Sequence, residues 1–261
     1  MVDKLSEGFS MPISTKELLD SVGSEGKKAV SSVFKIICKD TNSKGTGFLI
    51  KEGVILTNEH VVRGSNKQNI IAVSSLNKEI KFDKIILDTV RDLAVLFPQE
   101  EMEGGLEILE DLDIEPGVMV CTWGFPLNYN GPAPLLSTGF LAGFSERLGV
   151  KRLVINGAFN NGNSGGPLLK ANDSKVLGVV VAKHLPLITP FIASAIEALS
   201  KNTSGVVFTW RDNNGNTKQF VESQIVAEIL GYYHHMSQVV IGEAIESKEL
   251  IKFLKDNGLI K

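Results

Sequence analysis

The run Gly162-Asn163-Ser164-Gly165-Gly166-Pro167-Leu168 sets a serine among glycines. A serine hydroxyl becomes a nucleophile only when a base takes its proton and donors hold the oxyanion that its attack creates. Glycines on both sides let the backbone curl, so that the N–H groups of Gly162, Asn163 and Ser164 can converge on one point as an oxyanion hole. Taken alone, the run suits a Gly-rich turn as well as it suits an active site. The base would be a histidine, and the chain has four: His60, His184, His234 and His235. His60, in ILTNEHVV, stands at the end of an apolar run, where a side chain can be aimed into a cleft. A carboxylate should accept the other imidazole N–H in a place shielded from water. Asp92 in RDLAVLF, directly ahead of a buried-looking strand, fits; Asp83 and Asp88 are neighbouring alternatives.

Positioning three such residues takes a frame. From Val33 onward the sequence runs in short apolar or alternating stretches (VFKIIC, TGFLIK, GVILTN, NIIAVSS, KFDKIILD, LAVLF) broken by Gly, Asn and Pro, which reads as successive strands. After DLDIEPG, which resembles a linker, a second series follows: VMVCTWGF, LLSTGFLAGF, RLVINGAF, PLLK and KVLGVVVAK. Two series of about six strands without intervening helices predict an all-β architecture of two six-stranded antiparallel barrels. The expected organisation is a partly helical extension over 1–29, a first barrel over 30–110, and a second barrel over 111–261 with a C-terminal helix. Ser14 and Glu17 have capping-box spacing in the extension. An insertion at about 185–237 breaks the strand pattern. It reads as a helix with Ile192, Ile196 and Leu199 on one face, a hairpin turning at Asn214-Gly215, and the helix VESQIVAEILGYY. In the last helix Ser247 is the expected N-cap, Leu250, Ile251 and Leu254 the apolar stripe, and Gly258 the stop.

Composition excludes several function classes. With 27 Lys and Arg against 30 Asp and Glu the net charge is −3, and without basic blocks no nucleic-acid or membrane partner is expected. No apolar run approaches the roughly 18 residues of a membrane span, and MVDKLSEGFSMPIS lacks the apolar core of a secretory signal, so the expected compartment is the cytoplasm. Cys38 and Cys121 sit in apolar runs without paired ligand spacing and read as buried free thiols; no metal site and no cofactor are expected.

TNEHVV, DLAVL and GNSGGPL, in that order, resemble the three catalytic motifs of the chymotrypsin-like serine peptidases, closest to the HtrA (Deg) branch. The likeness runs roughly from Val30 to His184: TGF is similar to that branch's GSGF and GFP to its GNP. It resumes at VVIGEAI, which resembles IGFAIP. The resemblance implies a chymotrypsin-like fold and a serine endopeptidase that needs no cofactor. His60 would be the general base, Asp92 its orienting partner and Ser164 the nucleophile, with the N–H groups of Gly162 and Ser164 as the oxyanion hole. A G-x-S-x-G elbow of the α/β-hydrolases also matches 162–166, but Pro167 and a strand-like run follow the serine here, and the best His and Asp lie upstream.

Departures from the family sharpen the expectation. Asn163 replaces the Asp that pairs with a freed N-terminal ammonium in peptidases activated by cleavage, so control is expected from the loop Phe159-Asn160-Asn161-Gly162. Ala158 stands where trypsin carries an acidic residue, which favours small or aliphatic residues before the scissile bond. The strand Val179–Ala182 should offer its edge to an extended peptide, with Val181, Ala182 and Lys183 touching it. Val181 also replaces a hydroxyl residue that supports the catalytic Asp in relatives. No PDZ domain is expected after Gly258, and the 185–237 insertion is the expected place for a regulatory partner or a second copy to dock. The competing function is a latent or inactive peptidase-fold module that binds peptides without cutting them.

Overall fold

A computed structural model describes residues 14–261 apart from 112, 128, 172, 184–189, 213–214 and 237–240. Ser14 caps α1 (Thr15–Ser21): its hydroxyl accepts the Glu17 N–H while the Glu17 carboxylate accepts the Ser14 N–H, the reciprocal pair that the spacing predicts. After α2 (Ser24–Ser32) the chain enters strands.

The first sheet is built from β1 (Val33–Cys38), β2 (Ser43–Leu49), β3 (Ile55–Thr57), β4 (Ile70–Ser74), β5 (Glu79–Ile80), β6 (Phe82–Asp88) and β7 (Leu93–Pro98). Its strands pair antiparallel in the order β5-β4-β1-β2-β3-β7-β6. Alternation decides the faces. Phe34, Ile36 and Cys38 of β1 join Leu49, Ile55, Ile70, Ala94 and Leu96 in the core of this barrel-like sheet, and the residues between them face outward. One turn of helix, α3 (Glu59–Val62), follows β3 and carries His60.

The second sheet contains β8 (Glu107–Ile108), β9 (Met119–Gly124), β10 (Leu135–Arg147), β11 (Val150–Gly157), β12 (Pro167–Lys170) and β13 (Lys175–Lys183). Later in the chain come β14 (Val207–Arg211), β15 (Thr217–Val221) and the second sheet's last strand, β16 (Ile241–Glu246). The order β12-β9-β10-β11-β16-β13 closes on itself through β12–β13, a six-stranded barrel; β8 adds a parallel rung outside it. Two residues are too few to show a period, so β5 and β8 leave no mark in the sequence. Val120, Leu141, Leu153, Ile155, Phe159, Leu168, Leu177 and Val180 fill this barrel.

A third apolar cluster joins the sheets: Phe48, Leu56, Leu93 and Val95 of the first meet Trp123, Leu169, Val179 and Ile245 of the second. Two helices cover it, α2 through Ala29 and Val30, and α6 (Ser247–Asp256) through Leu250, Phe253 and Leu254. Ser247 is not the N-cap of α6. Glu246 holds that position and Ser247 begins the helix, its buried hydroxyl unpartnered among the described residues, because β16 runs straight into the first turn. At the other end Gly258 takes φ +69, the left-handed stop that the sequence signals. Both cysteines are free and buried, and burial pushes the Cys121 thiol up to about 11, which leaves it unreactive.

Residues 184–239 form a separate unit. Its described elements are α4 (Pro190–Lys201), the antiparallel pair β14–β15, and α5 (Glu222–Met236), in the helix–hairpin–helix order read from the sequence. Gly215 of the expected Asn214-Gly215 turn has φ +86, while Asn214 lies outside the described residues.

Candidate active site

β3 ends at Thr57, and the backbone turns into α3, which points His60 back across the end of the sheet toward the turn between β6 and β7. That turn ends at Asp92, whose φ of +61 is the left-handed conformation that a short polar side chain tolerates. Its carboxylate receives the histidine twice: the His60 backbone N–H donates to Oδ1 at 2.9 Å, and His60 Nδ1 lies 2.8 Å from Oδ2 and 3.0 Å from Oδ1. With Nδ1–H directed at the carboxylate, Nε2 is left as the basic nitrogen. The neighbouring carboxylates have other work. Asp88 accepts the N–H groups of Val90 and Arg91 and closes the turn; the side chain of Asp83 is on the exposed part of β6.

The turn is anchored on both flanks. Asn58 is wholly buried and donates through Nδ2 to the Asp92 carbonyl at 3.0 Å. Arg91 reaches Asp88 at 2.6 Å, Asp256 at 3.0 Å and Glu249 at 3.5 Å, tying the turn to α6. Beside His60, the buried Glu59 carboxylate is matched by Arg63 one helical turn on.

Ser164 follows a tight loop in which Gly162 has φ +96. The loop is held from the first sheet by Thr46. The Thr46 N–H donates to the Ser164 carbonyl at 2.8 Å; its hydroxyl donates to the Gly162 carbonyl at 2.6 Å and accepts the Phe125 N–H at 3.1 Å. Leu127 N–H donates to the Asn161 carbonyl at 2.8 Å. Among the described residues, the N–H groups of Gly162 and Ser164 find no protein acceptor, whereas the Asn163 N–H is spent on the Asn160 carbonyl at 3.1 Å. Of the expected trio, two N–H groups are therefore unspent at this loop and that of Asn163 is bonded within it.

The Ser164 hydroxyl donates to the Val181 carbonyl at 2.6 Å, and no hydrogen bond joins it to His60. A bulge makes this possible. β13 pairs with β16 at Val180↔Ala244 and Ala182↔Glu243, so Val181 is the extra residue. In a regular strand successive carbonyls alternate sides, but here Val180 C=O accepts Gly165 N–H at 2.8 Å and Val181 C=O turns to the same loop. Val181 thus meets the site through its backbone. The residue there has no hydroxyl to offer Asp92, and the Asn58 amide bonds the Asp92 backbone carbonyl. Ala182 and Lys183 continue β13, paired with Glu243 and Gly242, their side chains outside the described residues. Ala158 is exposed just after β11, and next to it Phe159 is buried against Gly242.

Of the remaining histidines, His184 lies outside the described residues, and His234 and His235 belong to α5 in the other unit. Thr46 and Asn58 are absent from the candidate site residues of the sequence, and Val181, expected to touch substrate, instead holds the Ser164 hydroxyl through its carbonyl. Thr46 stands inside the TGF run, where nothing in the sequence marks its hydroxyl. Among the described residues no cluster of His, Cys, Asp and Glu could hold a metal ion, and no helix is long and apolar enough to cross a membrane.

The profile of a family described as trypsin-like peptidase domain matches residues 45–179. Among curated proteins, a "Putative protease Do-like 11, mitochondrial" of Arabidopsis thaliana is 26% identical over 228 residues, which cover 84% of this chain and 39% of that protein. A "Probable periplasmic serine endoprotease DegP-like" of Halomonas elongata is 30% identical over 146 residues, 54% of this chain and 30% of that protein. The chain thus spans less than half the length of these relatives. In fold it is similar to the active form of the Rv3671c protease from M. tuberculosis, with a TM-score of 0.60 over 98% of this chain and 95% of that one at 18% identity.

Proposed function

The chain belongs to the family of trypsin-like peptidase domains, and on that premise we propose that it is a serine endopeptidase with Ser164 as nucleophile, His60 as general base and Asp92 as the orienting partner. The observation that carries the reading is the doubly bonded His60–Asp92 pair in the unit that also holds Ser164 and two unspent N–H groups. As Ser164 Oγ bonds to the scissile carbonyl carbon, its proton passes to His60 Nε2, and the carbonyl electron pair moves onto the oxygen, held by the N–H groups of Gly162 and Ser164. Collapse breaks the C–N bond, and His60 gives its proton to the leaving amine. Water then repeats the sequence and frees the acid. Substrates are polypeptides, with a small or aliphatic residue before the cut next to Ala158 and the acyl part paired along the β13 edge.

A second reading has its own observation. With its hydroxyl on the Val181 carbonyl, Ser164 is not aligned for proton transfer, so the chain rests latent, a peptide-holding module until a substrate or partner releases the hydroxyl. A peptide N–H arriving at that carbonyl would compete for it. A fluorophosphonate probe separates the two. The wild type is expected to be labelled and Ser164→Ala to stay unlabelled; labelling that needs added peptide favours latency, and a wild type that resists the probe with and without peptide refutes the peptidase.

A regulatory protein or a second copy of the chain is further proposed to dock on 185–237, where Phe191, Trp210 and Tyr233 are 81%, 55% and 68% exposed. Light scattering is expected to show a larger complex for the parent chain, alone or with the partner, than for the Phe191→Ser and Trp210→Ser double variant; equal masses refute it.

A further inference from the structure

Ser164 is gripped from two directions, its hydroxyl by Val181 of β13 and its backbone carbonyl by Thr46 of β2. On the β2 side a cleft of about 340 Å³ opens, lined by Lys35, Lys44, Gly45, Phe125, Leu127 and Tyr129 among others. It adjoins the nucleophile. A methyl on Gly45 would lie 3.0 Å from the Ser164 carbonyl oxygen, and Leu127 is bonded to the loop that precedes Gly162. If the acyl part of a peptide lies along β13, the part beyond the scissile bond leaves on this side.

The cleft is cationic by construction. β1 and β2 pair Lys35 with Thr46 and Ile37 with Lys44, so both lysines lie on the face that carries Thr46 toward the Ser164 loop. The Lys35 ammonium is 5.1 Å from the centre of the Phe125 ring, half buried. Burial, and then the Lys44 charge, lower its pKa from the ordinary lysine value. Neither lysine has a carboxylate partner among the described residues. Two like charges on the strand face that bonds the Ser164 loop, one of them partly buried, oppose folding slightly and suit an anionic ligand. Burial also pushes the Tyr129 phenol up, so it remains an O–H donor.

We propose that this cleft is the leaving-group subsite of the proposed peptidase, and that it selects a carboxylate two or three residues beyond the scissile bond. The proposal rests on the peptidase reading for its place in the reaction, but its chemistry does not. The carboxylate can come from an Asp or Glu side chain or from the substrate's own C-terminus, and peptides with free or amidated ends tell these apart.

The test uses the Ser164→Ala chain, which holds peptides without cutting them, and fluorescence anisotropy of matched peptides with one valine ahead of the cut. The Glu peptide is expected to bind about 5-fold more tightly than its Gln twin, the upper range for a partly exposed ion pair. Near 1 M salt, where the screening length is about 3 Å, the difference is expected to vanish. Lys35→Arg should keep the preference, and Lys44→Glu, which takes the two-lysine face from a charge of +2 to 0, should abolish it. Equal binding of the Glu and Gln peptides, binding of neither, or a preference that survives Lys35→Met with Lys44→Glu overturns the subsite. Fluorophosphonate labelling of the wild type reports the other reading separately: a labelled chain without carboxylate preference refutes the subsite alone, and an unlabelled chain that still prefers Glu refutes the catalysis alone.

Discussion

Asp92→Asn is expected to lower kcat/KM for an internally quenched peptide by about 10⁴-fold, with most of the loss in kcat, if Asp92 orients His60 as proposed. Two donors meet at this carboxylate: the His60 backbone N–H on Oδ1, and Nδ1 of the ring between Oδ1 and Oδ2. An amide has a single acceptor oxygen. If that oxygen keeps the backbone N–H, the NH₂ group faces Nδ1 and stabilises the tautomer that protonates Nε2, the nitrogen that must take the Ser164 proton. If the oxygen turns to the ring instead, the backbone N–H of α3 loses its partner and the helix that aims His60 is loosened. The first arrangement removes the base and the second misaims it, while the substrate contacts remain. Asp88→Asn is the comparison, since Asp88 also closes this turn and binds Arg91 but does not touch His60. It should cost less than about 10-fold. Equal losses in the two variants, with folding verified by circular dichroism, would mean that Asp92 acts through the turn and not on the histidine.

The sequence carried the pieces of this site that depend on residue type at a fixed local spacing. A histidine just after an apolar strand, an aspartate just before one, and a serine between glycines are local patterns, and the fold that positions them follows from two runs of alternating strands. What stayed hidden depends on pairing between distant segments. Thr46 is an unremarked β-strand threonine until β2 is laid against the Ser164 loop, where its one side chain bonds two backbone groups from the second sheet. The Val181 carbonyl is concealed further, because every residue has one; only the one-residue slip between β13 and β16 turns it onto Ser164. Lys35 and Lys44 are nine positions apart, and it is the β1–β2 register that places them on one face. The misread cap of α6 has a similar source. Ser247 has the right residue type, but β16 continues to Glu246 and draws the cap one residue earlier.

Gly165→Ala should damage both stability and activity, and the reason lies in the approach of the two sheets. Gly165 has φ +85, where an alanine costs about 1–2 kcal/mol on its own. Its added Cβ would lie 2.2 Å from the Thr46 carbonyl oxygen, 2.2 Å from Thr57 Oγ1 and 3.0 Å from the Asn58 backbone nitrogen. Two of these are backbone atoms, and the Thr57 hydroxyl is fixed by its own bond to the Thr46 carbonyl at 2.7 Å, so no flexible side chain can yield. Overpacking of this kind adds about 1–3 kcal/mol, for a total of about 2–5 kcal/mol. Gly64→Ala supplies the control: its φ is +73 and nothing lies within 4 Å of the added methyl, so it bears the backbone cost alone. Urea midpoints should therefore fall in the order wild type, Gly64→Ala, Gly165→Ala. Relief of the clash must push the Ser164 loop away from Thr46 or push Thr46, Thr57 and Asn58 inward; the first moves the nucleophile and the second moves the residue that tethers Asp92. A displacement near 1 Å at either place costs about 10²-fold in rate, so the folded fraction of Gly165→Ala should turn over peptide at least that much more slowly than Gly64→Ala. Matching activities per folded molecule would show that the seam between the sheets does not set the geometry of the site.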